Sequence, residues 1–184
     1  GTKVSRVIAN DTSGVTSMAG MFRRNEATTL DLSSFDTSNV INMKGMFRES
    51  RATSLDLSNF DTSNVVDMSY MFCDSRVNTL DLSNFDTSNV TDMRWMFYKS
   101  RITSLDLSSF DMSNVTDMLG MFDKSNIKKI LVRTENDSTL QERIGTLLNL
   151  TVRKPDELKI NNLAITSEDI SDAEVIEKLI KIVL

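Results

Sequence analysis

Aspartate recurs at a fixed interval in this chain. Asp31, Asp56, Asp81 and Asp106 each stand between two leucines and repeat every 25 residues. Carboxylates beside serine hydroxyls are hard oxygen donors of the kind calcium takes. Each position supplies only one carboxylate, however, whereas calcium is held by about six to eight oxygens. The other reading is a row of solvated carboxylates hydrogen-bonded to neighbours such as Ser58 and Thr79. In that row like charges repel by about 1 kcal/mol per adjacent pair in water. A second row, Asp36, Asp61, Asp86 and Asp111, has the local sequence of turn and capping residues. Catalytic chemistry finds less support. The chain has no histidine, the commonest general base and metal ligand. Serine is abundant but has no evident base for a hydrolytic triad. The repeated carboxylates are identical and in line, with nothing to push their pKa values apart as a glycosidase pair requires. Cys73 stands where the other units have Arg48 and Tyr98, and reads as an incidental surface or half-buried thiol. No catalytic residue, metal ligand or cofactor site is assigned.

A different chemistry is offered by the aromatics. The only Trp and both Tyr residues, Tyr70, Trp95 and Tyr98, fall in two neighbouring units. Tyr70 and Trp95 occupy a slot that is glycine in the other copies, at Gly20, Gly45 and Gly120. Exposed Trp and Tyr are enriched at binding hot spots, so these three, together with the Asp31/Asp56/Asp81/Asp106 row, are the candidate binding residues. The alternative is that the rings pack on one another with no partner.

These residues are positioned by repetition. Four near-copies of one sentence begin at Leu30, Leu55, Leu80 and Leu105, each reading L-D-L-S-x-F-D-x-S-N-V-x-x-M-x-x-M-F. A degenerate copy precedes them, and half of another follows through Ile130 and Val132. Such a period marks a repeat array in which each unit buries its apolar face against its neighbours. Leu55-Asp56-Leu57 alternates with period two, as a strand does. Val65, Met68, Met71 and Phe72 then lie at i, i+3, i+6 and i+7, predicting a short amphipathic helix. Asn64 and Asp67 have capping-box spacing for its start. The chain contains 11 methionines, and ten of them recur in the same two slots of successive units. They therefore read as core rather than as a soft-metal site. The expected fold class is α/β: a solenoid over residues 1–133 with a parallel β-sheet on one face and short helices on the other.

The 184 residues carry a net charge of −5. No basic stripe exists to replace phosphate counterions, which argues against a nucleic-acid partner. No apolar run is long enough to span a membrane, and no signal peptide is visible. Gly1-Thr2 reads as a cloning remnant, which leaves open where the natural ends lie. Residues 134–184 leave the repeat. Helical spacing runs from Ser138 to Leu148, strand-like runs follow at Leu150–Val152 and Leu158–Ile160, and Ser171 to Glu174 forms a capping box before a final helix. This piece is either a C-terminal cap or a truncated small domain.

The repeated string closely resembles the BspA-like leucine-rich repeats of bacterial surface proteins, and more narrowly the 25-residue DUF285-type repeats. Members often carry Cys where this chain has Ser50, Ser75, Ser100 and Ser125. The resemblance implies a leucine-rich-repeat solenoid, extracellular on the bacterial cell surface. It also implies adhesion to a host or bacterial surface protein or glycan, with no catalytic residue to carry over. A structural spacer holding another domain away from the cell wall is the alternative role.

Overall fold

The computed structural model describes residues 11–132, 157–160 and 163–166. Each repeat is a succession of turns closed by its own small polar side chains. In the unit that begins at Leu55, Asp56 Oδ1 accepts from the backbone N–H of Ser58 at 3.1 Å and from its hydroxyl at 2.7 Å. Asp61 does the same with Ser63, at 3.0 and 2.6 Å, and Asp67 accepts from Ser69 N–H at 2.8 Å. A short carboxylate reaches the N–H two residues onward, which is why Asp-x-Ser marks a bend. Backbone turns between them are closed by Phe60 N–H on Leu57 O and Val65 N–H on Thr62 O, both at 2.9 Å.

The predicted helix over Val65 to Phe72 does not form, and among the described residues there is no helix at all. An α-helix needs every N–H to reach the carbonyl four residues back. Here the N–H groups alternate between two destinations. Those of Met68, Tyr70, Phe72 and Asp74 leave the unit for the carbonyls of Asp92, Arg94, Met96 and Tyr98, at 3.0, 2.8, 2.9 and 2.7 Å. The intervening N–H groups of Met71, Cys73 and Ser75 close turns on Met68, Tyr70 and Phe72, at 3.2, 3.0 and 3.2 Å. The alternation requires a left-handed residue at every fourth position, Tyr70 (φ 60°) and Asp74 (φ 52°) in this unit. Asn64 and Asp67 are accordingly not a capping box. Asn64 Nδ2 donates instead to Ser38 O of the preceding unit at 2.8 Å.

Strand structure is equally sparse. The parallel sheet expected along every Leu-Asp-Leu does not run through the described units and is met only at Leu105-Asp106. Neighbouring units meet instead through single-residue parallel bridges, Ser17 to Asn42, Asn42 to Asp67, Asp67 to Asp92 and Asp92 to Asp117. Among the described residues, regular strands occur only from Ser104 onward: β1 (Ser104–Asp106), β2 (Lys129–Val132), β3 (Glu157–Ile160) and β4 (Leu163–Thr166). They form one sheet in the order β1-β2-β3-β4, with β1–β2 and β2–β3 parallel and β3–β4 antiparallel. The α/β leucine-rich-repeat architecture of strands backed by helices is therefore not the fold. The strand expected at Leu158–Ile160 falls in β3. The expected helix over Ser138 to Leu148, the strand at 150–152 and the final helix from Ser171 lie outside the described residues.

What the repetition does achieve is register. Phe22, Phe47, Phe72, Phe97 and Phe122 stack ring on ring, with centroids 5.6, 5.7, 5.7 and 5.7 Å apart. Leu57, Phe60, Val65, Met68, Met71 and Phe72 are all buried, as are their counterparts in adjacent units. The hydrophobic core is thus a set of parallel columns, most of them formed by one side-chain type, with a mixed column at Ala52, Val77, Ile102 and Ile127. Between the columns runs a threonine clasp. The buried Thr62 hydroxyl donates to Asp86 O at 2.8 Å and accepts from Asp86 N–H at 2.9 Å. Thr12, Thr37 and Thr87 bond in the same way to the backbone of Asp36, Asp61 and Asp111.

The clasp and the buried serines separate two kinds of polar burial. Thr62→Val keeps the shape but strands both backbone groups of Asp86, so it should cost about 1–3 kcal/mol. Ser75 is buried with no hydrogen-bond partner for its hydroxyl, so Ser75→Ala should be neutral or stabilising. Urea denaturation of the two variants checks this. Equal losses would mean that Thr62 contributes volume rather than hydrogen bonds.

Candidate binding surface

The aspartate row and the aromatic group occupy different parts of the repeat, and the structure treats them differently. Asp31, Asp56, Asp81 and Asp106 are all exposed. Each spends Oδ1 on the serine two residues ahead, at 3.2, 3.1, 3.0 and 2.9 Å to Ser33, Ser58, Ser83 and Ser108 N–H. The hydroxyl and N–H of the serine hold the Asp56 and Asp81 carboxyls below the usual carboxylate range. Asp11, Asp36 and Asp61 are depressed by the same contacts. Among the described residues, no three His, Cys, Asp or Glu side chains converge on a point where a metal ion could sit. These carboxylates are turn formers first.

A third acidic row escaped the sequence reading because it was assigned to helix starts. Asp67, Asp92 and Asp117 lie along the bridges between units. Arg94 Nη2 donates to Asp92 Oδ2 at 2.6 Å, and its Nε stands 3.3 Å from Asp117 Oδ2, tying two units together. Cys73 differs from expectation as well. It is 4% exposed, and burial pushes its thiol up, which disfavours the nucleophilic thiolate.

Tyr70, Trp95 and Tyr98 do come together. The rings of Tyr70 and Trp95 are nearly parallel, 6.4 Å apart with an interplanar angle of 17°. Trp95 and Tyr98 meet edge to face at 4.9 Å and 80°. All three are half-buried. Cations gather on the tyrosines. Arg48 Cζ lies 5.2 Å and Lys44 Nζ 5.9 Å from the centre of Tyr70, while Lys99 and Lys124 Nζ lie 5.4 and 5.7 Å from that of Tyr98. Such contacts contribute about 0.5–1 kcal/mol each at exposed sites.

The glycine slot explains how the indole is seated. Tyr70 and Trp95 have φ of 60° and 57°, and Gly20, Gly45 and Gly120 have φ of 65°, 59° and 61° at the equivalent positions. The slot is a left-handed turn position that glycine fills without strain. A Cβ added to Gly120 would stand 2.7 Å from Cε3 and Cζ3 of Trp95 and 3.0 Å from Cη2. The six-membered ring therefore lies face-on over Gly120, using the space a side chain there would need.

The family model described as Mycoplasma protein of unknown function, DUF285, matches residues 16–133, well over half of the chain. The chain belongs to the DUF285 family. No curated protein and no solved structure matches it. In this DUF285 chain the matched span covers the stacked units and their Asp-x-Ser turns. It also contains all three aromatics of the cluster.

Two predictions rest on this surface. The depressed carboxyls of Asp11, Asp36, Asp56, Asp61 and Asp81 bind protons less readily folded than unfolded. Their contribution is present above the unfolded pKa of about 3.9 and is lost as pH falls through the lower folded values. Thermal melts should be flat from about pH 7 to 5 and drop below about pH 4. Removing hydroxyl partners with Ser58→Ala and Ser63→Ala should shrink that acid-side drop, and an unchanged drop would refute the assignment. The second concerns Trp95. Because its φ is 57°, Trp95→Gly should be more stable than Trp95→Ala by about 1 kcal/mol. If the alanine variant melts at the same temperature or higher, position 95 is not held left-handed.

Proposed function

We propose that this DUF285 chain is a non-catalytic binding module of a bacterial surface protein, engaging a surface protein or glycan through Tyr70, Trp95 and Tyr98. The observation that carries the reading is local. The exposed polar rows repeat almost unchanged from unit to unit, whereas the aromatics and the cations on them concentrate in neighbouring units. A stack built from identical columns changes little when an outward slot is altered, so such slots are where recognition can be written. Aromatic and arginine anchors dominate interfaces. The reading places the module outside the cell, with adhesion as its role.

A spacer is the second reading, favoured by the threonine clasp and the phenylalanine column, which run through successive units as they would in a stiff rod. Adhesion of the labelled chain to epithelial layers and to bacterial cells separates the two. Trp95→Gly should weaken binding at least tenfold, since truncation at a hot spot costs about 2 kcal/mol or more. Its melting temperature should stay close to that of the parent. Saturable binding that ignores position 95 would move the site elsewhere, and absence of saturable binding would leave the spacer.

A further inference from the structure

The arrangement of charge around the indole narrows the ligand class for the binding reading just given, on which this step rests. Of the three rings, the two tyrosines carry cations, and among the described residues Trp95 carries none. The surface is thus an apolar centre flanked on both sides by positive charge. Lys44, Lys99 and Lys124 are exposed, and among the described residues none of them has a carboxylate within salt-bridge distance. Lys44 and Lys124 lie three units apart along the stack, roughly 15 Å at about 4.8 Å per step. The whole chain has a net charge of −5, so general attraction for polyanions is weak and only a local basic strip can favour them.

We infer that the strip from Lys44 through Tyr70, Trp95 and Tyr98 to Lys124 is a binding site for an acidic polysaccharide. A sugar ring packs its C–H groups against the indole, and carboxylate or sulfate groups on its neighbours meet the flanking lysines. An acidic peptide fits less well, because the backbone donors at Tyr70, Trp95, Tyr98 and Lys99 are already taken and cannot add a strand. Tyr70, Trp95 and Lys99 N–H groups are bonded to Arg94, Leu119 and Asp123 carbonyls at 2.8, 2.9 and 2.9 Å, and Tyr98 N–H closes a turn on Trp95 O at 3.2 Å. Recognition must then come from ring faces and side-chain cations, which a stiff polymer with regularly spaced charges satisfies at little entropic cost.

Chondroitin sulfate, dextran and polyglutamate immobilised side by side test the inference with the full chain. Chondroitin sulfate should bind, with affinity falling as salt rises; dextran should not, and polyglutamate should bind at least tenfold more weakly. Trp95→Gly should weaken chondroitin sulfate binding at least tenfold. Should that variant fold poorly, the combined Lys44→Gln, Lys99→Gln and Lys124→Gln variant, altered only at exposed positions, should give the same loss. Equal binding to polyglutamate, no binding to chondroitin sulfate, or indifference to both variants would overturn the inference. Trp95-dependent adhesion to cells, with no affinity of the chain for chondroitin sulfate, would overturn the ligand class while leaving the binding module intact. Loss of both would overturn the two readings together.

Discussion

The structure depends on one hydrogen-bond alternation. In the four successive units from Met18 to Lys99, N–H groups two residues apart leave for the next unit, and those between them close local turns. The pattern repeats from Met18, Gly20, Phe22 and Arg24 through Met93, Trp95, Phe97 and Lys99. Buried backbone groups must be satisfied somewhere, and this scheme does so without a helix or an extended sheet. It also fixes the register of every unit on the next, since each outgoing N–H has one carbonyl to meet. The phenylalanine column, the methionine columns and the threonine clasp are consequences of that register, because equivalent side chains are delivered to equivalent places.

Much of this was legible in the sequence, though not the secondary structure. The period, the unit boundaries and the core residues could be read from spacing, and Leu57, Phe60, Met68 and Phe72 are buried as the pattern requires. Helix and serial turns were not distinguishable by that criterion. A chain of turns returns a side chain to the core about every three residues, much as a helix does. The discriminating signal was glycine. Gly45 and Gly120 interrupt the supposed helix, where glycine costs about 0.5–1 kcal/mol, and their recurrence in one slot marked a left-handed position. Length pointed the same way, since isolated helices shorter than about 12 residues are marginal. The aspartates misled in a related manner. Asp67 has the spacing of a cap, but the same short carboxylate serves an isolated turn equally well.

The candidate site was legible only as a list of residues. Sequence placed Tyr70, Trp95 and Tyr98 in neighbouring units, and the rings do meet one another. Spacing could not reveal the cations above the tyrosines, because Lys44 and Arg48 come from the preceding unit and Lys124 from the following one. Such contacts are set by the register between units, which fixes which side chains lie side by side roughly 25 residues apart.

The same register constrains where aromatics can stand. A large side chain in the left-handed slot is strained by about 1–2 kcal/mol relative to glycine, so its contacts must offset that cost. Trp95 leans over the next unit, and a Cβ there would collide with its indole. An aromatic in one unit therefore demands glycine in the next, or another aromatic leaning the same way. The run Gly45, Tyr70, Trp95, Gly120 obeys this rule. Tyr70 lies parallel to Trp95, and the series ends at Gly120, which gives the last ring its floor. The cluster is therefore a coupled unit with a required terminus. Lengthening it by one ring at position 120 would need the indole of Trp95 to move first, so the width of the aromatic surface is set by where glycine resumes.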